Sequence, residues 1–87
     1  MQIKAGDIVA LTTGEYSDYC LRDHMRALKD FDPYVEGERF KQGDDSEDWN
    51  TMDRFIAWAI REGLWEPISD GVEELWLGAY GRLEISP

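Results

Sequence analysis

The chain has a single cysteine, Cys20, and a single histidine, His24. A lone thiol cannot close an internal disulfide, which excludes the stapled scaffolds of small secreted proteins. Basic residues are scarce as well: nine stand against nineteen acids, leaving a net charge of −10. Nucleic acid is held through a basic footprint on its phosphates, so direct DNA or RNA binding is opposed by the sign of the molecule. Anionic lipid is repelled for the same reason, and the longest apolar runs are a few residues, far short of the roughly 20 needed to span a bilayer. The opening Met1-Gln2-Ile3-Lys4-Ala5-Gly6-Asp7 lacks the basic-then-apolar pattern of a secretory leader, which makes the cytoplasm the expected compartment. A Gly-rich phosphate loop is missing too. Gly78 and Gly81 fit neither a P-loop nor a dinucleotide fingerprint, and no Lys-Ser or Lys-Thr follows them.

What the chain does have is aromatic mass. Four Trp, four Tyr and three Phe in 87 residues argue against disorder despite the charge. That length suits one domain, residues 1–87, because two cores would each fall near the size at which chains need disulfides or metals. Small cores leave little room for deep cavities, so a functional site is expected on the surface.

Ile8-Val9-Ala10-Leu11-Thr12-Thr13, set between Gly6-Asp7 and Gly14, predicts a largely buried strand. Ser17 is placed to cap a helix running through about Lys29, with Cys20, Leu21, His24, Met25, Leu28 and Phe31 at helical spacing and Arg22, Arg26 and Lys29 on another face. Pro33 disfavours helix at Asp32 and sets a stop near Asp30. Tyr34 to Lys41 fits a short edge strand or a loop, with Gly37 and the charges weighing against the strand. The clearest helix has Ser46 as N-cap and Glu47 and Asp48 in its first turn. Its apolar face is Trp49, Met52, Phe55, Ile56, Ala59 and Ile60, and Gly63 lies past its end. Ser69-Asp70-Gly71 then reads as a turn between Leu64 to Ile68 and Val72 to Leu77, and Gly78 and Gly81 bracket another before Arg82 to Ile85. The expected fold is α+β: two helices on one face of a three- to four-stranded, mainly antiparallel sheet, in the order β-α-(β)-α-β-β.

Cys20 and His24, four apart on a helix, would be neighbours able to form a thiolate–imidazole pair or half a zinc shell. Both sit in the apolar stripe of that helix, so core packing is the expected role, and no metal, cofactor or catalytic residue is assigned. Asp44-Asp45-Ser46-Glu47-Asp48 lacks the alternating ligands and central Gly of an EF-hand loop. Asp30 and Asp32 begin such a spacing, but Tyr34 and Val35 break it. Paired carboxylates for glycoside hydrolysis need a cleft that pushes their pKa values apart, which so short a chain hardly offers.

Eight acids fall between Asp30 and Asp48 with only Arg39 and Lys41 to offset them, and Glu62 to Gly81 adds five acids and no base. Capping explains two or three. The remainder points to a face centred on Glu36, Glu38, Asp44, Asp45, Glu47 and Asp48, with Tyr34 beside it, that docks on a basic protein surface. The expected role is non-enzymatic binding to a nucleic-acid-binding protein or nuclease complex, and its inhibition. In size and charge the chain resembles small acidic proteins that imitate nucleic acid, among them phage anti-restriction and anti-CRISPR proteins; that resemblance implies a bacterial host cell as the setting. The rival expectation is an accessory domain of a larger complex that binds through an aromatic sheet face, its charge serving solubility alone. The sequence does not specify an oligomeric state.

Overall fold

The computed structural model describes residues 1–14, 20–68 and 73–86. Five strands and two helices follow in the order β1 (Ile8–Thr13), β2 (Cys20–Ala27), α1 (Pro33–Gly43), α2 (Thr51–Arg61), β3 (Trp65–Ile68), β4 (Glu73–Ala79) and β5 (Arg82–Ser86). They build one mixed sheet in the order β3-β2-β1-β4-β5, in which only the central β1–β4 pair is parallel. The fold is therefore α+β, as expected, but with five strands and a different order.

Alternation along the strands decides which face is covered. Val9 and Leu11 of β1 lie level with Met25 of β2 and Leu75 of β4, all buried, and Ala27, Trp65, Leu77 and Leu83 extend that face. Helix α2 covers it with Met52, Phe55 and Ala59, and α1 adds Phe40, so one cluster forms the core. Phe55 is fully buried and meets Phe40, Trp58 and Trp65 at ring-centroid distances of 5.5, 6.0 and 5.8 Å. Burying a side chain of that size stabilises the fold by about 1.5–3 kcal/mol. The N-terminal segment closes the rim, Ile3 and Phe31 exchanging backbone hydrogen bonds of 2.8 and 2.9 Å.

Three expectations need correction. The helix proposed from Ser17 to Lys29 is instead strand β2; residues 15–19, including Ser17, lie outside the described part. Its Met25 and Ala27 alternate with His24 and Arg26, and pairing with β1 on one side and β3 on the other outweighs a helical spacing carried by few residues. Leu28, assigned to the apolar stripe, is exposed. The segment from Tyr34 to Lys41 is neither strand nor loop but α1. Asp32 is extended, as Pro33 requires of the residue before it, and Pro33 itself starts this helix, since proline is favoured in the first turn; the Asp32 carboxylate caps it by accepting the Tyr34 amide at 2.9 Å. Gly37, which counted against an edge strand, lets α1 approach β5: a methyl there would lie 2.8 Å from Ile85 Cδ1.

The third correction concerns the C-terminal strands. β3 and β4 form no hairpin, because β3 pairs with β2 at one edge while β4 crosses to lie parallel to β1. The Ser69-Asp70-Gly71 turn falls outside the described residues. The second turn is present: β4 and β5 are antiparallel with Ala79 opposite Arg82, and Tyr80 and Gly81 between them both have positive φ, 56° and 77°. That is the signature of a two-residue type I′ hairpin, whose twist matches that of the flanking strands.

Candidate functional site

The acidic stretch is organised by one cation. Arg54, on the first turns of α2, reaches back into residues 44–50 and donates from Nε to Asp44 Oδ2 at 2.7 Å and from Nη1 to Asp48 Oδ1 at 2.8 Å. Its Nη2 lies 3.3 Å from both Asp44 Oδ1 and the Ser46 carbonyl oxygen. A planar fork of five donors suits this geometry in a way that a lysine would not. Hydrogen bonds from Arg54 hold the Asp44 and Asp48 carboxyls below the ordinary carboxylate range, and Asp48 gains further from the Asn50 amide. The same bonds raise the Arg54 guanidinium above its usual value.

Ser46 is consequently not the N-cap. Helix α2 begins at Thr51 after Asn50, and Glu47 and Asp48 belong to the preceding loop rather than the first turn. Thr51 Oγ1 accepts the Asp48 amide at 2.9 Å, closing the loop on the helix. A second cation disposes of Glu36: Arg39 pairs with Glu36 and with Glu62, and its guanidinium carbon stands 4.9 Å over the Trp58 ring. Hydrogen bonding to Glu62 raises the Arg39 pKa. Glu38 lies 3.7 Å from Lys41.

The six acids proposed for docking therefore divide. Asp44, Asp48, Glu36 and Glu38 have cationic partners, whereas Asp45 and Glu47 are exposed and make no ion pair among the described residues. Asp44, Asp45, Ser46 and Glu47 line a cleft of about 320 Å³ against Arg82 and Glu84 of β5. Tyr34 and Glu38 line an adjoining cleft of about 190 Å³, sharing Lys41, Leu83 and Glu84 with the first. Tyr34 is exposed. Glu36 lines neither cleft and is held instead by Arg39, which also pairs with Glu62. The second acidic zone is split, for Glu66 pairs with Arg26 at 3.5 Å on the other face of the sheet.

Among the described residues no helix lies over that other face. Ile8, Ala10, His24, Ile68 and Trp76 lie there half-buried, and Trp76 donates from its indole N–H to the Gly14 carbonyl at 2.6 Å. Placing His24 on a strand also dissolves the Cys20–His24 pair, since four residues of strand span about 13 Å. Among the described residues no group of three His, Cys, Asp or Glu is disposed to hold a metal, and no helix is long and apolar enough to cross a membrane.

Two aromatic residues at the site were not foreseen. Trp49, assigned to the buried face of the clearest helix, is 77% exposed in the loop ahead of it, and Tyr80 at the hairpin tip is 57% exposed. The hairpin was legible from Gly78 and Gly81, but the convergence of Tyr80 and Trp49 depends on where residues 44–50 settle. Comparison with protein-family models, with curated proteins and with solved structures gives no match for this chain.

Proposed function

We propose that this chain is a non-enzymatic binding protein that docks on the basic surface of a nucleic-acid-binding protein and competes with nucleic acid there. The observation that supports this reading is the presentation of Asp45 and Glu47. In a molecule of net charge −10, the Arg54 network consumes Asp44 and Asp48 to fix the loop and leaves these two carboxylates pointing outward without partners among the described residues. Fixed charges at fixed spacing steer association and discriminate partners better than a flexible acidic tail does.

The test is capture from a bacterial lysate on the immobilised protein, washed at rising salt and competed with duplex DNA. The expected outcome is retention of nucleic-acid-binding proteins that DNA releases, with binding falling steeply as the screening length shrinks from about 10 Å at 0.1 M to about 3 Å at 1 M salt. Asp45→Lys with Glu47→Lys, which leaves the Arg54 network intact, should abolish it. A second reading is favoured by the sheet face that no helix covers among the described residues: an accessory domain that binds through Ile8, Ala10, Ile68 and Trp76. It predicts capture that persists at high salt, ignores the charge reversals and is lost in Trp76→Ala.

A further inference from the structure

Three of the nine basic residues, Arg39, Arg54 and Arg61, line one cleft of about 430 Å³ between α1 and α2. Asp44 is the one acid in its wall among the described residues, although nineteen acids stand against nine bases in the chain. Apolar surface comes from Phe40, Ala57 and Trp58. Small-molecule sites combine a volume of about 300 to 1,000 Å³, apolar walls and a few convergent polar groups, and this cleft has all three.

The three cations differ in what they have left to offer. Arg54 is spent, its fork bonded to Asp44, Asp48 and the Ser46 carbonyl. Arg39 stands 4.9 Å over the Trp58 ring and is tethered by Glu36 and Glu62, neither of which belongs to the wall of the cleft. Those bonds occupy two of its five N–H donors. Arg61, exposed in the last turn of α2, makes no hydrogen bond or ion pair among the described residues. Its charge offsets the negative end of the helix dipole there, a role that leaves its donors open. Both oxygens of Asp44 already accept from Arg54. The wall thus has guanidinium donors to spare and no free carboxylate to take them. A net charge of −10 repels anions at a distance, but salt at about 0.15 M screens that field within about 8 Å, so contact with the donors decides.

We infer that the α1–α2 cleft binds a small aromatic carboxylate, its ring against Phe40, Ala57 and Trp58 and its charge held by the Arg61 fork with Arg39 beside it. A guanidinium takes a carboxylate through two parallel hydrogen bonds, and the apolar wall asks for a body that inorganic phosphate lacks. The site goes beyond the docking role proposed above and does not rest on it. Asp44, fixed by Arg54, is the partition between this cleft and the acidic one that Asp45 and Glu47 line.

The test is an NMR titration of the full chain, labelled with ¹⁵N, using naphthalene-2-carboxylate, its neutral amide and inorganic phosphate. The carboxylate should shift the Trp58 indole N–H and the Gly43 and Ala57 amides saturably and bind at least about tenfold more tightly than the amide, the margin that hydrogen bonds between charged groups supply. Phosphate should leave those signals in place. Arg61→Gln, which removes no hydrogen bond or ion pair among the described residues, should bring the acid down to the affinity of the amide. Arg61→Lys keeps the charge without the fork and should recover only part of the difference. Equal affinity for acid and amide, an acid preference that survives Arg61→Gln, or no response at Gly43, Ala57 and Trp58 overturns the inference. So does binding of an acidic peptide where the naphthoate fails, which would assign the cleft to a partner's side chain. None of these results bears on the capture experiment with Asp45 and Glu47, so the two readings fail separately.

Discussion

Replacing Gly81 with alanine tests whether the acidic loop is seated on the β4–β5 hairpin. Two costs should add. The first is conformational: at φ 77° an L-residue with a Cβ is disfavoured by about 1–2 kcal/mol. The second is steric. The new methyl would sit 2.5 Å from the Asp48 carbonyl oxygen and 2.7 Å from its carbonyl carbon, both backbone atoms that no rotamer change can move aside. The loop must retreat or the hairpin deform, and overpacking of this kind costs about 1–3 kcal/mol. Gly63, just past α2, isolates the first term: its φ is 75°, yet a methyl there meets nothing within 4 Å. Urea titrations of Gly81→Ala and Gly63→Ala, followed by far-UV circular dichroism, should therefore differ by about 1–3 kcal/mol. In thermal melts each kcal/mol corresponds to about 4–8 °C for a domain of this size. Coincident curves for the two variants would show that residues 44–50 do not rest on the turn, and would separate Trp49 from Tyr80.

Other consequences are measurable on the same material. Phe55→Ala opens the centre of the ring cluster and should cost about 3–5 kcal/mol in the urea titration; a loss near 1 kcal/mol would mean that Phe40, Trp58 and Trp65 collapse into the space. Trp49→Phe should remove most of the acrylamide-quenchable fluorescence, because Trp49 is 77% exposed while Trp65 is fully buried; unchanged quenching would contradict the exposed position. Arg54→Met should lower the urea midpoint by an amount that depends on pH in a fixed sense. Asp44 and Asp48 are held below the usual carboxylate range, so their contribution is complete above the unfolded value near 3.8 and is lost as pH falls through the lowered folded values. The gap between wild type and variant should be flat from pH 7 to about 5 and close below about 4; a gap that widens in acid would refute the pairing.

Helix α2 was legible because Met52, Phe55 and Ala59 repeat at helical spacing and Gly63 ends the run. Its start was misplaced because Ser46, Glu47 and Asp48 have the composition of a capping segment but are drawn into a loop by Arg54, a contact ten residues long that local pattern does not reveal. Strand β2 failed for a related reason. Leu21, Met25 and Leu28 satisfy one period and Met25 and Ala27 the other, and only neighbours on both sides of the strand decide between them. Helix α1 was readable in principle from Asp32-Pro33, a cap followed by a first-turn proline; the role of Gly37, which counted only against an edge strand, makes sense once Ile85 is placed beside it. At the candidate site, Asp45 and Glu47 were found by charge, whereas Trp49 was lost to the core because a tryptophan before a helix looks like part of its buried face.

The parallel pairing of β1 with β4 bears on how the chain reaches its folded state. Val9 lies opposite Glu73 in that ladder, sixty-four positions away, and the central strand keeps an open edge until β4 arrives. During synthesis the β1–β2 pair can form early, but the sheet cannot close until β4, which begins at Glu73, has left the ribosome. Contacts so distant in sequence make folding slow and expose strand edges meanwhile. Mutual repulsion among chains each of net charge −10 would keep these unfinished sheets apart, so the acidity can act as the protein's own guard against aggregation before it serves any partner.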